Sequence, residues 1–351
     1  MISVGIVGLP NVGKSTLFKA LTKKQVDISN YPFCTIEPNV GVVVVPDERL
    51  QKIAKVTKPQ KITPTIIEFI DIAGLVKGAH KGEGLGNQFL ARIREVDIIC
   101  QIIRNFQNEK IIHVDGSINP KRDIETINLE LIMKDLETID KRLEKTSKEA
   151  KGGNKEKIKE LEQLKELKNW LNTFKLIKDL DNLNQYEPII KELSFLTAKP
   201  AVYIANIKNE KNGGKTIEIN NIKAIALDLK YEEELSELSE AEIIELNIKP
   251  SSLDLIIRIC YDTLELITFY TVVGGKELRA WTITKETKAP KAAGKIHGDF
   301  EKGFICADVV DWQELIEAGS PSKAREKGFT RTEGKDYIIQ DGDVVEFKFK
   351  V

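Results

Sequence analysis

The octapeptide GLPNVGKS, residues 8–15, fits the pattern G-x-x-x-x-G-K-[ST] and decides the fold of this chain. It follows a strand-like run at residues 1–7 and precedes a helix-like run at residues 16–21, as the pattern requires. Its glycines allow backbone N–H groups to wrap around a phosphate, and Lys14 adds a point charge that assists catalysis. The residues predicted to bind the phosphates are Asn11, Val12, Gly13, Lys14, Ser15 and Thr16.

The stretch from this loop to about residue 120 alternates short apolar runs with turns and helix-like segments. The most apolar runs, at residues 42–45, 66–70 and 96–103, are the predicted inner strands. Such alternation is typical of a βαβ sheet with helices on its faces. The sequence therefore predicts an α/β P-loop nucleotide-binding domain.

A different pattern runs from about Arg122 to Trp170. Apolar residues recur there at helical spacing among many Lys and Glu residues, and Gly152 and Gly153 interrupt them. This predicts two antiparallel helices joined by a turn. A strand-like run returns at residues 201–205, so the helical hairpin is inserted into the nucleotide domain. Its dense charge either contacts RNA or another partner, or only solvates the helices.

The last part of the chain contains short strand-like runs and glycine turns after a helical run at residues 253–268. It ends in an Asp-Gly turn at residues 341–342, followed by alternating apolar and charged residues up to Phe349. Alternation of this kind predicts a closing strand with one buried face. A separate small β domain is expected at residues 268–351.

The composition is that of a soluble globular protein, with 41% hydrophobic and 30% charged residues among 351. A net charge of -1 provides no overall electrostatic case for a nucleic-acid or membrane partner. The four cysteines are far apart and lack zinc-site spacing, which indicates reduced thiols. The start lacks a signal-peptide pattern and no apolar run approaches ~20 residues, so we expect a cytoplasmic location without membrane contact.

A second motif, Asp-Ile-Ala-Gly, begins at Asp71 directly after a predicted strand. A carboxylate there is placed to hold Mg²⁺, directly or through water, together with the Ser15 hydroxyl. Gly74 has no side chain, so its N–H can approach a γ-phosphate and sense its presence. Thr35, within the loop at residues 30–35, is the predicted switch residue that reaches the metal and the γ-phosphate. The alternative for Thr35 is that it only turns the chain.

The base-reading element is expected after the later strand, where residues 206–210 read NIKNE. The Asn-Lys-x-Asp sequence that grips guanine is absent. Guanine is selected when a carboxylate accepts hydrogen bonds from its N1–H and N2 amine, so without that group adenine becomes admissible. Asn206, Ile207 and Glu210 are the predicted base-side residues.

These motifs together resemble the YchF/Obg-like ATPase family. The segments that carry the resemblance are residues 8–16, 30–41, 71–80, 82–89, 289–303 and 335–337. The resemblance covers the whole chain and implies an inserted α-helical hairpin and a C-terminal TGS domain of the β-grasp type. The implied domains are an Obg-type P-loop domain at 1–121 and 191–267, a helical arm at 122–190 and the TGS domain at 268–351.

The resemblance also implies ATP as the nucleotide, because the family reads the base with Asn-x-x-Glu. Asn209 occupies the position of that glutamate here, with Glu210 one residue later, so GTP stays open as the alternative. Leu75 stands where related enzymes hold a water-positioning glutamine, which makes His80 the candidate catalytic group unless it is incidental. Asn11 resembles the asparagine that helps coordinate K⁺ in related nucleotidases, or else it only shapes the loop.

Family resemblance further implies association with the ribosome through RNA contacts of the arm and the TGS domain. Basic residues of the TGS domain suited to phosphate contacts are Lys285, Lys288, Lys291, Lys323, Arg325 and Lys327. The expected function is a slow, Mg²⁺-dependent ATP-hydrolysing switch that engages the ribosome. The alternatives are a GTPase or dual-purine factor, an adapter that uses nucleotide without much turnover, and a small-molecule kinase. A kinase would need an arginine-bearing lid and would not need both Thr35 and the Asp71 motif.

Overall fold

The computed structural model describes residues 1–23, 39–72, 85–108, 117–208, 214–248, 251–273 and 275–350. These residues form two compact units. The first contains residues 1–23, 39–41, 68–72, 85–108, 117–208, 214–248 and 251–253, and the second contains residues 42–67, 254–273 and 275–350. The predicted domain boundaries assign residues 42–67 and 254–267 to the nucleotide domain instead, and these boundaries stay a prediction.

The three predicted inner strands are confirmed at Val40–Val44, Ile66–Asp71 and Ile98–Arg104. The strands are β1 Ile2–Val7, β2 Val40–Val44, β3 Lys61–Thr63, β4 Ile66–Asp71, β5 Ile98–Arg104, β6 Ala201–Asn206, β7 Lys215–Ile219, β8 Ile222–Leu227, β9 Leu266–Val273, β10 Glu277–Thr284, β11 Phe304–Asp311, β12 Arg331–Glu333 and β13 Asp343–Phe349. The helices are α1 Lys14–Thr22, α2 Glu48–Thr57, α3 Leu85–Glu95, α4 Pro120–Ala150, α5 Lys155–Leu171, α6 Glu187–Leu193, α7 Leu229–Leu235, α8 Glu240–Glu245, α9 Leu253–Thr263, α10 Ala289–Ile296, α11 Gly298–Lys302, α12 Trp312–Ala318 and α13 Pro321–Glu326.

A seven-stranded sheet with the order β2-β4-β1-β5-β6-β8-β7 confirms the predicted α/β fold. The pairs β1/β5, β5/β6 and β6/β8 are parallel, and β7 is antiparallel to β8. Every residue of the central strand β5 is buried, as expected for a strand covered on both faces. Because β1, β5, β6 and β8 run in the same direction, the segments that follow them lie along one edge of the sheet.

The predicted helical hairpin is confirmed as α4 and α5. Asn154 is the N-cap residue of α5, and its Oδ1 accepts hydrogen bonds from the backbone N–H groups of Glu156 at 2.9 Å and Lys157 at 3.3 Å. Three ion pairs of the described residues join the helices, and they link Glu149 to Lys157, Arg142 to Glu160 and Asp140 to Lys168. Since the later residue of α5 pairs with the earlier residue of α4, the two helices are antiparallel.

A buried carboxylate ties the hairpin to the segment that leads back into the sheet. Asp135 of α4 is 0% exposed and accepts hydrogen bonds from the backbone N–H of Leu196 at 3.0 Å and of Thr197 at 2.8 Å. The Thr197 hydroxyl donates a third bond at 2.7 Å. Burial raises the pKa of Asp135 to about 6, although these hydrogen bonds act in the opposite direction.

This raised pKa predicts a specific pH dependence of stability. An unfolded aspartate has a pKa of about 3.9, so folded Asp135 binds more protons than the unfolded chain between about pH 4 and pH 6. Its contribution to the free energy of unfolding is therefore full below pH 4 and is lost as the pH rises through 6. Relative to the non-titrating variant Asp135→Asn, the wild type should lose about 2–3 kcal/mol over this interval, measured by urea unfolding. A difference that stays flat across the interval contradicts the assignment, and Asp140→Asn is the exposed control.

The second unit is built on a six-stranded sheet with the order β12-β11-β13-β9-β10-β3. The pairs β9/β10 and β11/β13 are antiparallel, and β13 joins β9 in parallel at Val344 and Tyr270. Helix α10 packs its alanines into the core of this sheet, against Phe269 and Phe347. The predicted closing strand is confirmed as β13, and the unit has the expected β-grasp form. The predicted helical run at 253–268 is wrong at its end, because α9 stops at Thr263 and β9 begins at Leu266.

The two longest helices of the described segments, α4 and α5, are rich in charged residues. In these segments, no helix combines the length and the apolar composition needed to cross a membrane.

Candidate nucleotide-binding site

The loop between β1 and α1 has the conformation that its glycines predict. Gly13 is the N-cap residue of α1 and has a φ of 110°, a left-handed value that residues with a side chain rarely adopt. A Cβ atom at Gly13 would lie 2.6 Å from Nδ2 of Asn206 and 3.1 Å from Cδ1 of Leu229. Asn11 also has a left-handed φ of 62°. Backbone geometry and close packing therefore both require glycine at position 13.

Lys14 lies inside this loop with its side chain nearly enclosed. Its residue is 8% exposed, and Nζ donates hydrogen bonds to the carbonyl oxygens of Gly8 at 3.0 Å and Leu9 at 2.9 Å. Burial holds the pKa of Lys14 below its ordinary value, and the nearby Asp71 carboxylate opposes this shift. An ammonium that has lost most of its hydration interacts strongly with a phosphate, because the interaction is not screened by water.

The structure brings Ser15 and Asp71 together, although they are 56 residues apart in the sequence. The Ser15 hydroxyl donates to Oδ2 of Asp71 at 3.1 Å. The other carboxylate oxygen, Oδ1, is buried and has no hydrogen-bond partner among the described residues. A buried carboxylate oxygen without a donor is costly unless a cation binds it. Hydroxyl and carboxylate oxygens are the ligands that Mg²⁺ prefers, so these two residues fit the predicted metal site.

Asn206, at the end of β6, connects the phosphate loop to α7. Its Nδ2 donates to the carbonyl oxygen of Val12 at 2.8 Å, and its Oδ1 accepts from the backbone N–H of Leu229 at 3.3 Å. Asn206 is 7% exposed. The predicted base-side residue thus has a positioning role that the sequence did not indicate, and one N–H of its amide remains available for a purine.

A cavity of about 620 Å³ adjoins the phosphate loop, a size typical of small-molecule sites. Its lining is formed by Asn11, Gly13, Thr16, Phe106, Asn108, Asn206, Ile207, Lys208, Asp228, Lys230, Tyr231 and Glu234. The predicted phosphate residues Asn11, Gly13 and Thr16 therefore share one cavity with the predicted base-side residues Asn206 and Ile207. The other predicted phosphate residues, Val12, Lys14 and Ser15, are not part of this lining, and Val12 is only 1% exposed.

Sequence reasoning missed the wall formed by the segment after β5. Arg104 is 1% exposed, and its guanidinium donates to the carbonyl oxygens of Phe106 at 3.3 Å and Asn108 at 3.2 Å. Its Cζ also lies 4.8 Å from the centroid of the Phe106 ring. Arg104 therefore fixes two residues of the lining. The only signal in the sequence is an arginine at the end of an apolar run.

Several predicted site residues fall outside the part of the chain that the structure describes. They are Thr35, Gly74, Leu75, His80, Asn209 and Glu210. Their roles at the γ-phosphate, the attacking water and the base stay predictions.

The parallel sheet, the phosphate loop and the adjoining cavity define a P-loop nucleotide-binding domain of the GTPase type. Residues 3–148 match the family model described as 50S ribosome-binding GTPase. Residues 266–350 match the model named YchF-GTPase_C, described as a protein of unknown function.

Relatives extend the match to the whole chain. The Bacillus subtilis protein named ribosome-binding ATPase YchF is 46% identical and covers 100% of both chains. The Haemophilus influenzae protein of the same name is 47% identical and covers 99% of both. The solved structure of the Schizosaccharomyces pombe YchF GTPase aligns with a TM-score of 0.85 and 39% identity over 99% of this chain and 97% of that one. The chain therefore belongs to the YchF family.

Proposed function

We propose that this chain is an ATP-binding and ATP-hydrolysing switch that depends on Mg²⁺, hydrolyses ATP slowly to ADP and associates with the ribosome in the cytoplasm. The observation that carries the proposal is the buried Lys14 next to the Ser15–Asp71 pair, in a loop whose Gly13 and Thr16 line a cavity of about 620 Å³. Curated relatives are named ribosome-binding ATPases, whereas the S. pombe relative of known structure is named a GTPase. The nucleotide preference therefore rests on the chemistry of the site.

The phosphate end of the site supplies positive charge where the reaction develops negative charge. Ser15 and Asp71 would hold Mg²⁺, which neutralises charge on the β- and γ-phosphates when it is bound. Lys14 donates to the phosphate chain from a site that excludes water. Thr35 and Gly74 order their loops when a γ-phosphate is present and release them after hydrolysis. Leu75 cannot orient water, so hydrolysis is slow and His80 is the proposed group that positions the attacking water.

The base end of the cavity favours a flat, partly apolar ligand. The ring of Phe106 and the side chain of Ile207 line it, and both present apolar surface to a purine. Asn206 offers an amide N–H, and no Asn-Lys-x-Asp carboxylate follows it in the sequence. ATP is the nucleotide we propose, with Glu210 as a further base contact.

A monovalent cation is a second proposed cofactor. Asn11 is part of the phosphate loop, lines the cavity and has a left-handed φ of 62°. We propose that its carbonyl or amide oxygen contributes to a K⁺ site that adds positive charge near the leaving oxygen. Equal rates of hydrolysis in Na⁺ and K⁺ buffers would contradict the K⁺ site and would mean that Asn11 only shapes the phosphate loop.

Association with the ribosome is proposed through the helical arm and the β-grasp unit. Of the basic residues considered, Lys288, Lys291 and Arg325 already pair with carboxylates, at 2.7 Å from Asp336, 2.6 Å from Glu301 and 2.7 Å from Glu346. Ion pairs of this kind reduce the charge available for RNA phosphates. Lysines of the arm are paired in the same way, since Nζ of Lys168 lies 2.6 Å from Asp140 and that of Lys157 lies 2.8 Å from Glu160, so RNA contacts are proposed for both the arm and the β-grasp unit.

Calorimetric titration of the full chain tests the nucleotide and the metal together. With Mg²⁺ and K⁺ present, a non-hydrolysable ATP analogue should bind at least tenfold more tightly than the GTP analogue, a difference of ~1.4 kcal/mol. Asp71→Asn should remove most of the gain in affinity that Mg²⁺ provides, while affinity in EDTA stays near that of the wild type. Tighter binding of the GTP analogue would overturn the proposal of an ATPase.

A further inference from the structure

We propose that Asp228 is a specificity-determining residue that accepts a hydrogen bond from the 6-amino group of adenine. The inference rests on the proposed ATP function and identifies how the site selects its purine. Asp228 lines the cavity beside the phosphate loop, together with Asn206 and Ile207. The sequence motif at residues 206–210 did not include it.

The topology of the sheet places Asp228 beside the base-side residues. Strands β6 and β8 are parallel neighbours, and Asn206 is in register with Leu227. The backbone N–H of Ile207 donates to the carbonyl oxygen of Leu227 at 2.9 Å. Asp228 is the next residue, so its carboxylate lies at the same edge of the sheet as Asn206 and Ile207.

One carboxylate oxygen of Asp228 has a structural task and the other does not. Oδ1 accepts from the backbone N–H of Tyr231 at 3.2 Å and thereby caps α7. Within the described segments, Oδ2 has no hydrogen-bond partner. Asp228 is half-buried, so this oxygen can accept a hydrogen bond from water in the free protein and from a donor of a ligand that displaces the water.

A single available acceptor oxygen suits adenine better than guanine. Adenine carries an N–H donor at its 6 position, whereas guanine carries the O6 acceptor there, which a carboxylate repels. Guanine is gripped when both oxygens of a carboxylate accept from N1–H and the 2-amino group. The cap on Tyr231 already engages one oxygen of Asp228, so that two-point contact would cost the start of α7.

Two substitutions of Asp228 distinguish its role as the N-cap of α7 from its proposed hydrogen bond to adenine. Asp228→Ser retains a cap oxygen and removes the second oxygen. Asp228→Asn keeps the cap through its carbonyl oxygen and presents an amide N–H to the cavity, which favours guanine O6 over the adenine amine. The probes are ADP, GDP and purine riboside diphosphate, which lacks the 6-amino group, and their affinities for the full chain are measured by calorimetry.

We expect the wild type to bind ADP about 10- to 100-fold more tightly than purine riboside diphosphate, the range for a hydrogen bond to a charged group. Asp228→Ser should reduce ADP affinity to the level of purine riboside diphosphate without changing the affinity for the latter. Asp228→Asn should move the ADP to GDP ratio towards GDP by at least tenfold. Asp311→Ser makes the same change at the cap of α12 in the second unit and should alter none of these affinities.

The outcomes distinguish the two proposals. Tighter binding of GDP than ADP by the wild type would overturn the ATPase proposal itself. An ADP preference that persists unchanged in Asp228→Ser would overturn only the role of Asp228. Equal losses for ADP and purine riboside diphosphate would also overturn it, because they would show that Asp228 shapes the cavity without reading the amine.

Discussion

Replacing Lys14 with alanine should lower the rate of ATP hydrolysis about 10²- to 10³-fold, the usual cost of removing one donor to a developing negative charge in a water-excluded site. Lys14 is 8% exposed, and its ammonium already has two acceptors in the loop, so it is oriented before the nucleotide binds. The measurement is single-turnover hydrolysis with saturating ATP and Mg²⁺. Lys19→Ala removes an exposed lysine from the same helix and should leave the rate within about twofold. A Lys14→Ala rate within threefold of the wild type would contradict the role.

The lowered pKa of Lys14 predicts that nucleotide affinity depends on pH. A phosphate binds the ammonium form, so nucleotide affinity should be full below the pKa of Lys14 in the free protein and should fall as the pH rises through it. Bound phosphate stabilises the ammonium form and so raises the pKa of Lys14 again. Nucleotide binding in the alkaline range should therefore be accompanied by the uptake of protons. Lys14→Arg keeps its charge over this range and should lose the pH dependence, although its planar group does not fit the site of an ammonium.

Lys14→Ala also separates a switch from an adapter. If nucleotide controls the association with ribosomes, the ATP analogue should change the co-sedimentation of the wild type with ribosomes. The same analogue should not change the co-sedimentation of Lys14→Ala. If the wild type and the variant co-sediment equally under both conditions, the chain acts as an adapter and the proposed switch is wrong.

The parts of the molecule that the sequence predicted are those encoded by local patterns. The octapeptide at residues 8–15 requires a strand before it and a helix after it, and β1 and α1 are found there. The glycine pair at 152 and 153 predicted the turn between α4 and α5 because no other feature interrupts a helical pattern of that length. Asp71 was predicted at the metal because it ends an apolar strand beside the loop.

The remainder depends on contacts between segments that are distant in sequence. Strand β3 is only three residues long, and it is defined by parallel pairing with β10, more than 200 residues away. Arg104 reads as the polar end of an apolar run, and only the folded chain shows that it holds Phe106 and Asn108. The second function of Asn206, between Val12 and Leu229, is likewise a tertiary contact. The hydrophobic periods of strands and helices, 2 and 3.6 residues, contain no information about such distant partners.

Gly13→Ala should destabilise the phosphate loop and nearly abolish nucleotide binding. The added Cβ would both strain the backbone and clash with a neighbouring side chain. The left-handed φ of 110° strains any residue with a Cβ, and the new methyl group would lie 2.6 Å from Nδ2 of Asn206. Strain and overpacking each cost about 1–3 kcal/mol, so we expect a loss of about 2–6 kcal/mol in the free energy of unfolding. The loop must move to relieve the contact, and its N–H groups then no longer converge on a phosphate.

Gly153→Ala is the matched control for this loss. Gly153 has a left-handed φ of 76°, but nothing lies within 4 Å of the position that its Cβ would occupy. It should therefore show the backbone cost alone and leave nucleotide affinity unchanged. In a double-mutant cycle, Gly13→Ala with Asn206→Ala should cost less than the sum of the single changes, because the second substitution removes the atom that the first one strikes. If the losses in the free energy of unfolding are strictly additive, the clash with Asn206 does not cause the loss. The left-handed conformation that position 13 requires would then be its whole cause.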